Sequence, residues 1–188
     1  YEALPENADF SLVNKAVKKR DLSMMVSKIY RAFGPEATVE MLDKIKKLGF
    51  SYATLGGISL SIENLVIPET KVNLVKKAQA EVEKTEKLYL DGAITNGERY
   101  NKVIQIWARV TEDVANEMIS VLEEEDRAAS ANKDKRHQPF NPVFMMLDSG
   151  ARGSRQQIRQ LAGMRGLMAT PSGEIMETPV IANFKEGL

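Results

Sequence analysis

The 188-residue chain has no cysteine, which excludes disulfides and thiolate metal sites and is in keeping with a reducing compartment. Its one histidine, His137, sits in a polar stretch, so no Ser/His/Asp catalytic set can be assembled, and no GxxxxGK[ST] phosphate loop is present. Aromatics are scarce at 6%. There is no excess of charge of either sign: Lys+Arg and Asp+Glu are both 26. Phosphate binding, if any, must come from a local cluster. Apolar runs are only a few residues long, far short of a membrane span. Glu2, Glu6 and Asp9 near the start argue against a signal peptide, and the absence of an initial methionine leads us to expect a piece of a longer protein. No internal repeat is present.

What remains is rich in Ala, Leu, Val, Met, Lys and Glu, a composition that favours helix. Leu12, Val13, Ala16, Val17, Met24, Met25, Ile29 and Phe33 predict a helix over 11–33, stopped by Gly34-Pro35. Val39, Leu42, Ile45 and Leu48 predict a second helix from Thr38 to Gly49. Residues 50–67 read as a turn region with a short strand at 58–62.

Pro68-Glu69 opens a long helix to Leu90, with Pro68 in its first turn. Val75, Ala78, Val82, Thr85 and Tyr89 keep the 3-4 spacing of a coiled-coil seam. Asp91-Gly92 ends it. Thr95-Asn96-Gly97-Glu98 forms a capping box that starts a second long helix, running to Glu125, with its seam at Tyr100, Val103, Trp107, Val110, Val114, Met118 and Val121. So short a link requires an antiparallel hairpin, with arms of roughly 30–40 Å and its tip at 91–101. Trp107 falls in the seam and reads as core. Glu123-Glu124-Glu125-Asp126 reads as a solvated helix end, and 126–138 as a surface loop. Asn141-Pro142 caps a short helix at Val143–Leu147, Pro171-Ser172-Gly173 is a turn, 175–181 is extended, and Asn183 is placed to cap a further helix.

The chemistry concentrates in residues 148–168. From Ser149 to Gly173 there is no acid but there are four arginines, Arg152, Arg155, Arg159 and Arg165. Helical spacing would put Arg152, Arg155 and Arg159 on one face, with Gln156 and Gln160 adding amides. Gly150 and Gly153 would let backbone amides approach an anion, and a guanidinium fork suits phosphate oxygens. Two readings stand: a polyphosphate site built on Arg152, or a cationic helix that neutralises acids of a larger assembly. Gly163 and Gly166 mark either a place where the chain must bend or pack closely, or an ordinary helix C-terminus.

Phe144-Met145-Met146-Leu147-Asp148-Ser149-Gly150-Ala151-Arg152-Gly153-Ser154, followed by Gln157 to Met168, closely resembles the F-loop region of the largest (β′) subunit of bacterial-type RNA polymerase. Gly97-Glu98-Arg99-Tyr100-Asn101-Lys102-Val103-Ile104 with Trp107 resembles the rim helices of the secondary channel. Glu177-Thr178-Pro179 and Ala182 to Leu188 resemble the lead-in to the bridge helix, and 13–68 the end of the pore region. The resemblance runs in order along nearly the whole chain, apart from 126–139.

The resemblance implies a mainly α fold: a long antiparallel helical hairpin, shorter helices, and an irregular region with at most short strands. It divides the chain into 1–67 (pore region), 68–126 (rim hairpin), 127–140 (surface loop), 141–173 (F-loop region) and 174–188 (truncated bridge-helix lead-in). It implies an enzyme that makes RNA on a DNA template, here without its magnesium-binding aspartates and inactive as a segment. Arg152 would reach the triphosphate of the incoming NTP. Arg159, Gln160, Arg165 and Met168 would act conformationally. Glu98, Arg99, Tyr100, Asn101 and Lys102 would dock coiled-coil factors of the Gre type, and in some bacteria guanosine tetraphosphate. Mg2+ and Zn2+ would be held elsewhere in the subunit. Its partners would be the β, α and ω subunits, sigma factor, DNA template and RNA, in the bacterial cytoplasm and without a membrane. Asn7-Ala8-Asp9-Phe10 echoes a magnesium motif but lacks two of its three aspartates, and reads as a chance likeness or as a helix-capping segment. The alternative is a freestanding helical-hairpin adaptor for protein partners.

Overall fold

The computed structural model describes residues 3–131 and 141–187; His137 and the rest of 132–140 lie outside them. Five α-helices follow in order: α1 (Lys19–Gly56), α2 (Lys71–Leu90), α3 (Asn96–Ala131), α4 (Pro142–Ser149) and α5 (Arg155–Ile158). Short 3-10 turns lie at Phe10–Leu12 and Ile62–Asn64, and a π-turn at Arg159–Gly163 continues α5. The only β pairing among the described residues is two isolated antiparallel bridges, so the fold is mainly α, as the composition indicates. The chain divides into two compact units, Tyr1–Leu60 with Met145–Gly153, and Ser61–Phe144 with Ser154–Leu188.

In the first unit the helix expected from residue 11 starts at Lys19 instead. Asp9 takes the Ser11 amide at 2.9 Å and caps the separate turn Phe10–Leu12, which bears out the capping reading of Asn7–Phe10. The Asp21 carboxylate accepts the Lys18 amide at 3.2 Å, where the negative end group suits the first turn of α1. Gly34 breaks α1 with φ +82, and the Thr38 hydroxyl donates to its carbonyl at 2.7 Å. The second half runs on past Gly49 to Gly56, so 50–56 is helix, not turn, and 58–62 forms no strand. Leu4, Met25, Ile29 and Met41 make a small core with Ile45 against it, while Val39, Leu42 and Leu48 are exposed.

The second unit is organised by the α2–α3 hairpin. Pro68 precedes α2 by a turn rather than occupying its first position; Thr70 is the N-cap. Val75, Ala78, Val103, Trp107, Val110 and Val114 form the buried seam with Met164. Each valine of the seam, and Met164, stabilises the fold by roughly 1.5–3 kcal/mol when fully buried. Arg99 pairs with Glu86 and Arg109 with Glu81, so the arms run antiparallel. The Ala93 amide closes α2 on the Leu88 carbonyl at 2.9 Å. The Thr95 box forms as read: Thr95 N–H donates to Glu98 at 2.8 Å and Glu98 N–H to the Thr95 hydroxyl at 3.3 Å. Beyond Met118 the seam drifts from half-buried Val121 to buried Leu122, because a helix turns slightly less than a 3.5-residue repeat requires. α3 continues to Ala131, so the expected loop does not begin at 126.

Candidate functional site

α4 starts as expected, with Asn141 accepting the Val143 and Phe144 amides at 3.1 and 3.4 Å, and its residues from Met145 onward belong to the first unit. Its end leads directly to Arg152. Gly150 and Gly153 both take positive φ, +74 and +85. The amides of Gly150, Ala151 and Arg152 do not face outward to an anion. They turn back on the Leu147 carbonyl, the Ser149 hydroxyl and the Met146 carbonyl, closing the helix end. That corrects the expected backbone cradle and leaves the side chain. Arg152 is exposed, and its guanidinium has no hydrogen bond or ion pair among the described residues. Beside this segment lies a cleft of about 450 Å³, lined by Lys18, Lys19, Arg20 and Ser23 on one side and Asp148–Gly150 on the other. Lys18 pairs with Asp148 at 2.7 Å; Lys19 and Arg20 are exposed and carry no ion pair among the described residues.

The expected shared face of Arg152, Arg155 and Arg159 does not form, because Arg152 lies before the helix. Ser154 caps α5, accepting the Gln157 amide at 3.3 Å while Gln157 accepts the Ser154 amide at 2.9 Å. The S-x-x-Q pattern at 154–157 was the signal for this boundary. Arg155 bonds Asn116 and approaches Glu112 at 3.8 Å. Arg159 is half-buried, with its Nε atom unpaired. Arg165 donates to the Ala182 carbonyl at 3.0 Å and stacks 5.1 Å over the Phe184 ring. Gln160 is half-buried, and Met168 is exposed in the ribbon that follows.

That ribbon pairs 166–170 with 174–180 across the turn at Pro171–Gly173, through Gly166–Val180 bonds of 2.9 and 2.8 Å and Met176 N–H to Met168 O at 2.8 Å. Gly163 is the ordinary end of the helical segment, and Gly166 alone combines an unusual backbone conformation with a close approach. A Cβ on Gly163 would touch Val114 and Met118 at 3.6 and 3.9 Å, whereas one on Gly166 would lie 3.0 Å from Thr111 at φ +82.

At the hairpin tip the five residues named from the sequence separate. Asn101 and Lys102 are exposed. Glu98 serves the cap, and the Thr95 amide and hydroxyl bonded to it hold its carboxyl below the usual range. Arg99 and Tyr100 face inward: Tyr100 donates to the Ile175 carbonyl at 2.9 Å, and Arg99 grips Glu177 with both nitrogens of its fork at 2.6 and 2.8 Å. Glu86, Asn96 and the Tyr89 ring complete the surroundings of Arg99. The hydrogen bond to Glu177 raises the Arg99 pKa, and the same bond lowers that of Glu177.

Sequence reasoning missed a buried polar network. Asn183 is fully buried and Lys71 nearly so. Lys71 pairs with Glu186 at 2.5 Å. Burial pushes the Glu186 carboxyl up, but the bonds from Lys71 and the Asn183 amide outweigh it and hold the group below its usual value. Asn183-x-x-Glu186 has capping-box spacing, so the cap was readable; the burial of Lys71, 115 residues from Glu186 in sequence, was not. No three His, Asp or Glu side chains converge as a metal site among the described residues, and none of their helices is long and apolar enough to cross a membrane.

Two sequence families match the chain: RNA polymerase Rpb1, domain 3, over residues 5–65, and RNA polymerase Rpb1, domain 4, over residues 94–185. The chain belongs to the family of largest RNA polymerase subunits. Within it, the chain corresponds to an internal segment of a β′ subunit. It is 52% identical over 181 residues to the DNA-directed RNA polymerase subunit beta' of Koribacter versatilis (strain Ellin345), a match covering 96% of this chain and 12% of that relative.

Proposed function

We propose that this segment forms part of the wall of the channel through which nucleotides enter a bacterial, cytoplasmic DNA-directed RNA polymerase, and that Arg152 holds the triphosphate of the incoming NTP. The observation that carries this reading is the Arg152 guanidinium: exposed, unpaired among the described residues, and in a unit that also presents Lys19 and Arg20 without acidic partners. A charged fork left open suits a polyanion. Arg152 would keep the phosphates in line and offset charge that grows in the transition state. Magnesium, bound by residues elsewhere in the subunit, would supply Lewis-acid activation, and zinc would likewise be held elsewhere. Exposed Asn101 and Lys102, with Glu98, would receive factors of the Gre type. The β, α and ω subunits, sigma factor, template and RNA would be partners of the whole enzyme.

A freestanding adaptor is the weaker reading. The chain matches only 12% of its relative, and α1 leaves Val39, Phe50, Tyr52 and Leu55 exposed, an apolar surface suited to burial in a larger assembly. The test is single-nucleotide addition by the full polymerase carrying Arg152→Ala or Arg152→Lys. Both should slow addition at subsaturating NTP, the lysine because a point charge cannot replace the fork. Kinetics equal to the parent enzyme would overturn the proposal.

A further inference from the structure

The last carbonyls of a helix have no partner within it. In the segment that begins at α5 they are Gln160, Leu161, Ala162 and Gly163, and all four are satisfied from one place. Phe184 N–H donates to Gln160 at 3.0 Å and Lys185 N–H to Leu161 at 3.1 Å. The Asn183 side-chain amide donates to Ala162 at 3.0 Å and to Gly163 at 3.1 Å. Its carbonyl oxygen points the other way and accepts the Glu186 amide at 2.8 Å, while Glu186 accepts the Asn183 amide at 2.9 Å. Glu186 is in turn anchored on buried Lys71 at 2.5 Å. One buried side chain thus closes the end of one segment and opens the next. Its orientation is fixed chemically, because nitrogen faces two carbonyls and oxygen faces an N–H.

α5 is a single turn, and the π-turn after it has wide hydrogen bonding, so neither has much stability of its own. Their placement depends on what caps them. We propose that Asn183 is a positioning residue that ties the end of the 155–163 segment to the turn at 184–186, and that the rate of nucleotide addition depends on the placement this tie holds. This rests on the polymerase reading above.

Asn183→Asp separates the tie from ordinary capping. The carboxylate still accepts the Glu186 amide, but it has no donor for the Ala162 and Gly163 carbonyls and sets negative charge against them. Glu186→Gln is the milder second variant: it keeps an acceptor for the Asn183 amide and loses the charge facing Lys71. Both are built into the full polymerase alongside Arg152→Ala. Three quantities are read on preformed elongation complexes: the maximal rate constant of single-nucleotide addition, the apparent KM for NTP, and the fraction of complexes that react. Hydrogen exchange over 158–168 is read on the same enzymes.

For Asn183→Asp the rate constant should fall by about tenfold or more, with KM and reactive fraction little changed. Exchange over 158–168 should rise while 100–118 stays protected. Glu186→Gln should fall between Asn183→Asp and the parent. A reduced reactive fraction with an unchanged rate constant would show a merely structural role and overturn the proposal, as would unchanged exchange in both variants. If Arg152→Ala leaves both the rate constant and KM unaltered, the triphosphate reading fails, yet the exchange measurement still decides the tie.

Discussion

Arg99 and Glu177 meet fork to fork, at 2.6 and 2.8 Å, and so fasten the tip of the hairpin to a ribbon 78 residues further along the chain. A planar guanidinium and a planar carboxylate form two parallel bonds only when nearly coplanar, so the contact sets orientation as well as attraction. Arg99→Lys should therefore loosen the ribbon nearly as much as Arg99→Ala, and the exchanged pair Arg99→Glu with Glu177→Arg should recover part of the loss. Urea midpoints of the three variants and the parent check this. A lysine variant equal to the parent would contradict it.

The same contact should be sensitive to acid. The Arg99 bond holds the Glu177 carboxyl below its ordinary value of 4.5. A group whose folded pKa is lowered contributes stability above the unfolded value and loses it as pH falls through the folded one. The difference in melting temperature between the parent and Glu177→Gln should be constant from neutral pH down to about the ordinary glutamate value, then shrink below it. A difference that grows on acidification would be the wrong sign.

Gly163 and Gly166 should respond differently to alanine. At Gly166 the positive φ alone costs roughly 1–2 kcal/mol for an L side chain, and the new methyl would crowd Thr111. At Gly163 the methyl would meet ordinary contacts of 3.5–3.9 Å. Denaturation should show Gly166→Ala clearly destabilised and Gly163→Ala close to the parent; equal effects would show that backbone conformation is not the cause.

Removing the cap at the start of α3 should have a modest, defined effect. Thr95→Ala loses the acceptor for the Glu98 amide and should cost about 1 kcal/mol, whereas Thr95→Ser should be nearly neutral. Denaturant midpoints separate the two.

The hairpin was legible because its causes are local and periodic: a seam at heptad spacing, the stop at Asp91-Gly92, and the Thr95 box. Residues with little periodicity misled. Phe50, Tyr52 and Leu55 look like a packed turn, yet they continue α1 while exposed, because helical hydrogen bonding does not require burial. The arginines at 152, 155 and 159 share a helix face only if one helix holds them, and the capping pair Ser154 and Gln157 starts it after Arg152. Arg99 reads as a surface residue until Glu177 is found beside it, and Lys71 as a solvated one until Glu186 is. Those partners are far away in sequence, so no local pattern announces them.

The central claim is that Arg152 acts on substrate while its neighbours serve the fold, and kcat/KM for NTP in the full polymerase tests it most directly when Arg152→Ala is set beside Arg155→Ala. Arg155 already has Asn116 and Glu112 for partners, whereas Arg152 has none among the described residues. Loss of charged phosphate contacts should lower kcat/KM by about ten- to a hundredfold in Arg152→Ala and leave Arg155→Ala near the parent. Two variants with the same kcat/KM would contradict the account.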